Sequence, residues 1–218
     1  MIKHYYSLSY EKKAVFLIIV LYIFGVVFHY IPATSNIAVS ITELFLVLVN
    51  GLVLFFLFQH NKEVRTNLFI WVVLTFLITF FIEVVGVKTG VIFGNYFYGS
   101  TMKAKLFGVP VIIALNWTVL IISMNGLVNW FTNKSFLIIF LSSVFIVFLD
   151  VLIEPIAMKF DYWQWENSEV PLQNYIGWFL IAFLFSVILQ KLKIRIDLLL
   201  LKVIVLMNVI FFLMMRWA

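Results

Sequence analysis

Four carboxylates stand inside stretches of this chain that are otherwise apolar: Glu43, Glu83, Asp150 and Glu154. In hydrocarbon surroundings each costs about 2.5–3.5 kcal/mol near a helix centre, so each demands a partner or a task. Asp150 and Glu154 are four residues apart, a spacing that puts both on one helix face, one turn apart. Two acids so placed repel when both ionise, so one of them is expected to hold its proton at neutral pH. A protonated carboxyl in an apolar cavity is a candidate general acid. His29 and Asn174 fall near the same level along their apolar runs, and Asn116 lies deeper. The competing reading is that these groups only hydrogen-bond neighbouring helices. It serves well for Glu43 or His29 alone and less well for the acid pair beside Pro155.

Two connecting segments add aromatic groups. The first reads Glu83-Val-Val-Gly86-Val-Lys-Thr89-Gly90-Val-Ile-Phe93-Gly94-Asn-Tyr96-Phe-Tyr98. Its glycines permit positive φ and close backbone approach, which predicts a tight loop that tucks Phe93, Tyr96 and Tyr98 over the helix ends. It lacks the Gly-Lys-Ser/Thr ending of a phosphate-binding loop. The second carries Tyr162, Trp163 and Trp165, then Pro171, Asn174, Gly177 and Trp178. Aromatics are common at a membrane interface in any case. Clustered beside two carboxylates, they read as the lining of a cavity whose aromatic faces can stabilise a cation. Gly108, Pro110, Asn116 and Trp117 are expected to form another wall.

The elements that hold these groups follow from composition. Of 218 residues, 65% are hydrophobic and 11% charged, against about 25% charged in soluble domains. With a mean hydropathy of +1.13, the chain is read as an all-α, polytopic integral membrane bundle forming one domain over residues 1–218. A soluble enzyme and a nucleic-acid binder are excluded; the net charge of +5 points to anionic lipid head groups and topology. Seven runs approach the roughly 20 residues a spanning helix needs: 14–31, 37–58, 67–87, 107–130, 136–158, 174–190 and 198–215. The first exceeds a signal-peptide core and is read as a retained span. Nine cations, from the N-terminus and the connections holding Lys62 and Arg65, Lys134, and Lys191, Lys193 and Arg195, face five on the other side. This predicts a cytoplasmic N-terminus in the cell membrane, with His4 and His60 on the cytoplasmic side. Cysteine is absent, which removes disulfides and thiolate chemistry. Lys202, in the last run, could suggest a retinal Schiff base. It lies near the cytoplasmic end, where a lysine snorkels to head groups.

In its motifs the chain resembles the membrane carotenoid biosynthesis family that contains the CruF-type carotenoid 1',2'-hydratases, among them bisanhydrobacterioruberin hydratase. The matching signatures are Glu83-x-x-Gly86-x-x-Thr89-Gly90-x-x-Phe93-Gly94-x-Tyr96-x-Tyr98, Gly108-Val109-Pro110 with Trp117, Asp150 with Glu154-Pro155, Tyr162-Trp163-x-Trp165, and Pro171-x-x-Asn174-x-x-Gly177-Trp178. The chain departs from the pattern where Glu154-Pro155 stands for a frequent Asp-Pro, and in a shortened stretch before Pro171. The resemblance implies addition of water to the terminal double bond of an acyclic carotenoid by a cofactor-independent hydro-lyase. It also implies association with other enzymes of carotenoid biosynthesis, and neither a metal nor a nucleic acid. On that basis the expected catalytic residues are Asp150 as general acid, because it lies deeper than Glu154 by about 6 Å, Glu154 as the group that orients or deprotonates water, and Glu83, which supports that water with Asn174. Trp163, Trp165 and Tyr96 are expected to face the cation, and Tyr98, Asn116, Trp117 and Trp178 to contact the substrate. A membrane carotenoid cyclase, which shares the protonation step, and a non-catalytic carotenoid carrier stand as alternatives. A metal-dependent prenyl elongating enzyme would need paired Asp-rich motifs, and none is present.

Overall fold

The computed structural model describes residues 2–194 and 196–217, with side chains from Tyr10 onward. Arg195 and the side chain of Lys3, which belong to the cation count, and the side chain of His4 lie outside the described residues. The chain folds into eight described helices: α1 (Ile2–Tyr30), α2 (Pro32–Ser40), α3 (Thr42–His60), α4 (Arg65–Thr89), α5 (Val111–Asn129), α6 (Ser135–Lys159), α7 (Leu172–Lys191) and α8 (Leu199–Met215). Six of them are long and apolar enough to cross a membrane, and α8 is apolar but shorter, at 17 residues. Six of the seven apolar runs each fall on one of these helices and the second falls on two, α2 and α3; the fold is the all-α bundle of a polytopic membrane protein.

α5 is the centre of the bundle. It packs on α3, α4, α6, α7 and α8, and its apolar residues surround it on all sides, as expected for a helix that no longer faces solvent or lipid. The outer helices bury less: Phe69, Phe81 and Phe148 are all exposed, facing outward where a lipid chain is as good a neighbour as another helix.

Two run boundaries differ from expectation for identifiable reasons. The second run is broken at Ile41 into α2 and α3. Pro32 starts α2, and the hydroxyls of Ser40 and Thr42 donate to the carbonyls of Ile37 and Ala38 at 2.8 and 3.2 Å, a local alternative to helix continuation. The fourth run begins four residues late because β2 (Lys105–Leu106) and β3 (Val109–Pro110) form a small hairpin first. Phe107 and Gly108 at its tip both have positive φ, 54° and 87°, the conformation a two-residue type I′ turn requires. A second ribbon pairs β1 (Tyr96–Tyr98) with β4 (Trp163–Trp165), joining the two long connections over one end of α4, α6 and α7. Lys202 pairs with Asp197 at 2.8 Å, which satisfies it at the end of α8.

Candidate acid pocket

The β1–β4 ribbon builds one wall of the site. Its antiparallel register sets Tyr96 opposite Trp165 and Tyr98 opposite Trp163. Because side chains alternate across a strand, these four rings turn to one face, while Phe97 between them is 56% exposed on the other. The preceding loop is tight, as its glycines predict. Gly90 closes α4 in the left-handed conformation, and a Cβ on Gly86 would lie 2.6 Å from the Phe93 ring. Phe93, thus seated between α4 and α7, stacks on Trp178 at 5.2 Å, and Trp178 stacks on Trp117 at 3.6 Å.

Three carboxyl groups meet beneath the ribbon. Glu83, Asp150 and Glu154 are 3%, 1% and 3% exposed and line one small pocket with Asn174. Glu154 accepts from the indole N–H groups of Trp163 and Trp165, both on Oε2 at 2.9 and 2.8 Å. The Asn174 amide nitrogen bridges the acid pair, donating to Asp150 Oδ2 at 2.8 Å and to Glu154 Oε1 at 3.3 Å. Glu83 Oε2 accepts from the Tyr98 hydroxyl at 3.0 Å and from the Tyr96 hydroxyl. Burial, and then the adjoining Glu83, hold both phenols well above their ordinary value near 10, so they keep their protons and act as donors. Glu154 therefore receives three N–H groups and Asp150 one among the described residues. Pro155 follows Glu154 inside α6 and removes the N–H that the carbonyl one turn earlier would otherwise receive.

The space between these groups is about 20 Å³, enough for a single water molecule with polar partners on several sides. It adjoins a much larger apolar cavity of about 310 Å³ between α1, α3, α5 and α8. Ile113, Trp117 and Trp163 line both spaces. A hydrophobic chamber thus ends against a compact set of buried acids.

Of the polar groups singled out within the apolar runs, Glu83, Asp150, Glu154 and Asn174 come together, and the rest do not. Asn116 accepts from Asn50 at 3.3 Å and lines the apolar cavity, not the acid pocket. Its position on α5, one residue before Trp117, turns it about 100° away from the carboxylates. His29 also lines the cavity; its Nδ1 donates to the Gly25 carbonyl at 2.6 Å. Glu43 accepts the backbone N–H of Ala104 at 3.0 Å, outside both spaces. Pro110 pairs with Lys105 in the β2–β3 hairpin and precedes α5. Trp117, Trp163, Trp165, Trp178, Tyr96 and Tyr98 all line the acid pocket. Trp165 and Tyr96, expected to present ring faces, also point their polar edges at carboxylates. The ribbon is not among the elements expected from the sequence, where both segments read as loops; the alternation Tyr96-x-Tyr98 and Trp163-x-Trp165 is the signal that could have shown it. The apolar cavity, with Phe28, Phe45 and Phe211 in its walls, had no local signal, since Phe is everywhere in this sequence.

The chain matches the family described as carotenoid biosynthesis protein over residues 40–218, which includes every residue of the acid pocket. It belongs to that family. It is also 34% identical over 110 residues to bisanhydrobacterioruberin hydratase of Haloarcula japonica, a match covering 45% of this chain and 36% of that protein. The match therefore spans about a third of that relative's length. No solved structure matches the chain. Within this carotenoid biosynthesis protein the buried acids thus sit beside an apolar chamber.

Proposed function

We propose that the chain is a carotenoid hydratase, which adds water to the terminal double bond of an acyclic carotenoid. One observation carries the reading: three buried carboxyl groups line a space with room for one water and share Trp117 and Trp163 with a larger apolar cavity. The name of the Haloarcula japonica relative supports the same reaction class.

Asp150, with the fewest donors of the pair, carries the proton. Its proton passes to the less substituted alkene carbon as the O–H bond breaks and leaves Asp150 a carboxylate; the π electrons form the new C–H bond and leave a tertiary cation. The faces of Trp117 and Trp163, on the boundary between chamber and pocket, stabilise that charge. The water oxygen forms the C–O bond, and a water proton passes to Glu154, the carboxylate already held by Trp163, Trp165 and Asn174. Return of that proton to Asp150, its neighbour across the Asn174 amide, resets the pair. The sum is alkene plus water to tertiary alcohol, with no oxidant or reductant. Glu83, anchored by Tyr96 and Tyr98, orients the water from the opposite side.

The test is expression in cells that accumulate an acyclic carotene, grown in ¹⁸O-labelled water. The expected product is heavier by one water and carries the labelled oxygen. An isomeric, ring-bearing product would replace the hydratase by a cyclase, and bound but unchanged pigment would leave a carrier.

A further inference from the structure

The apolar cavity has a side door. α1 packs along α8 and α2 but touches α3 only sparingly, so a gap runs between α1 and α3, roofed by the short helix α2. Phe24 and Phe28 on α1 and Ile41 at the α2–α3 junction line the cavity and are at the same time 54%, 36% and 44% exposed on the outer surface of the bundle. Residues that are both wall and outer surface mark a mouth, and this mouth is apolar and lies on a face that spanning helices present to lipid. Along α1 the cavity runs from Leu21 to His29, about 12 Å at 1.5 Å per residue, which is well under half of the roughly 30 Å hydrocarbon thickness.

We propose that the gap between α1 and α3 is a lateral portal, through which one end segment of an isoprenoid hydrocarbon slides from the bilayer to the acid pocket while the rest of its chain stays in lipid. The inference rests on the hydratase reading for what happens at the inner end. The portal itself rests on geometry. A polyene dissolved in the membrane gains little from exchanging lipid tails for an apolar wall, and it would have to cross the head groups to use a mouth facing water. An opening at hydrocarbon depth avoids that crossing. A chamber shorter than the bilayer core admits the reacting end group and leaves the far end unread. Ile113, Trp117 and Trp163, which form the wall shared by the chamber and the acid pocket, mark the side of the cavity toward which the alkene must point.

Gly25 gives the test. It lines the cavity, and a Cβ there meets only the Phe211 ring, at 3.5 Å, so Gly25→Phe fills the chamber without displacing backbone. Gly51 on α3 has nothing within 4 Å of an added Cβ and does not line the cavity, so Gly51→Phe is the matched control. Expressed in cells accumulating lycopene and purified from their membranes, the wild type and Gly51→Phe should retain pigment and turn it over within about twofold of each other. Gly25→Phe should lose bound pigment and product by at least tenfold. A measurement insensitive to folding runs beside it: benzoylphenylalanine in place of Phe28, at the mouth, should cross-link lycopene on illumination. The same replacement of Phe81, exposed on α4, should not. Gly25→Phe that keeps pigment and turnover, a wild type purified without pigment, or equal cross-linking at both positions would overturn the portal. Pigment bound by the wild type, lost in Gly25→Phe and never hydrated in either would keep the portal and reject the hydratase reading.

Discussion

The bundle buries a polar cluster near each end, and the two are wired differently. Away from the ribbon, Asn125 donates to the Ile121 carbonyl at 2.9 Å and to Ser186 at 2.7 Å, and accepts from Gln190 at 3.5 Å. Trp71 donates to the Phe185 carbonyl at 3.0 Å. These side chains are neutral and lean on backbone acceptors or on each other, so the cluster joins α4, α5 and α7 as packing glue. In the acid pocket, acceptors predominate. Three carboxyl groups draw on two phenols, two indoles and one amide, and a water-sized space remains between them. Burial and polarity are shared by the two clusters. Proton-carrying groups around a void are not, and that difference separates a candidate site from a structural contact.

The sharpest way to break this comparison is Asp150→Asn, which keeps size and hydrogen bonding but has no proton to give. Product should fall by about 10²–10⁴-fold, the usual worth of a positioned acid, at an unchanged protein level in the membrane. Near-normal hydration of pigment by this variant would move the acid to Glu83. Next in size is Trp165→Phe, which keeps a ring but removes one N–H from Glu154. A hydrogen bond to a charged group contributes about 1.5–3 kcal/mol, so turnover should drop by one to two orders of magnitude with pigment still bound. An equal loss of bound pigment would make Trp165 a substrate wall and not a donor.

The control cluster should behave in the opposite way. Asn125→Ala strands Ser186 and Gln190 and should cost about 1–3 kcal/mol of stability, read as a lower melting temperature in detergent, while turnover per folded molecule stays within about twofold. Turnover that collapsed without a stability loss would mean the two clusters are coupled. The smallest effect is expected at Asp161, which accepts from the hydroxyl and the backbone N–H of Ser100 at 2.7 and 2.8 Å. Those two bonds hold its carboxyl below the ordinary value, with Lys105 adding to the same direction. A depressed folded-state value means that its contribution is present above the ordinary value and fades as pH falls through the lowered one. Asp161→Asn should therefore cost about 1 kcal/mol or less at pH 7, and the gap from wild type should close in acid. A gap that widened in acid would show that Asp161 does not act as an anion there.

By itself the sequence determined the solvent and the apolar helices, but not the break at Ile41 or the two ribbons. Too few charges to cover a soluble globule, and apolar runs of spanning length, leave helices in a bilayer, where each segment must satisfy its own backbone groups. The i, i+4 spacing of Asp150 and Glu154 placed both acids on one face before any packing was known, because helix geometry is local. The cation count favouring a cytoplasmic N-terminus is likewise a property of the sequence. The tertiary structure decided which polar residues share a space. Glu83 comes from α4, the acid pair from α6, and Asn174 from α7, and only the packing of these helices and the pairing of β1 with β4 bring them together. Asn116 and His29 are also polar residues in apolar runs, yet they turn to the apolar cavity, because rotation about a helix axis is set by its neighbours. The cavity itself is a gap between helices, and a gap has no residues of its own for a sequence to spell.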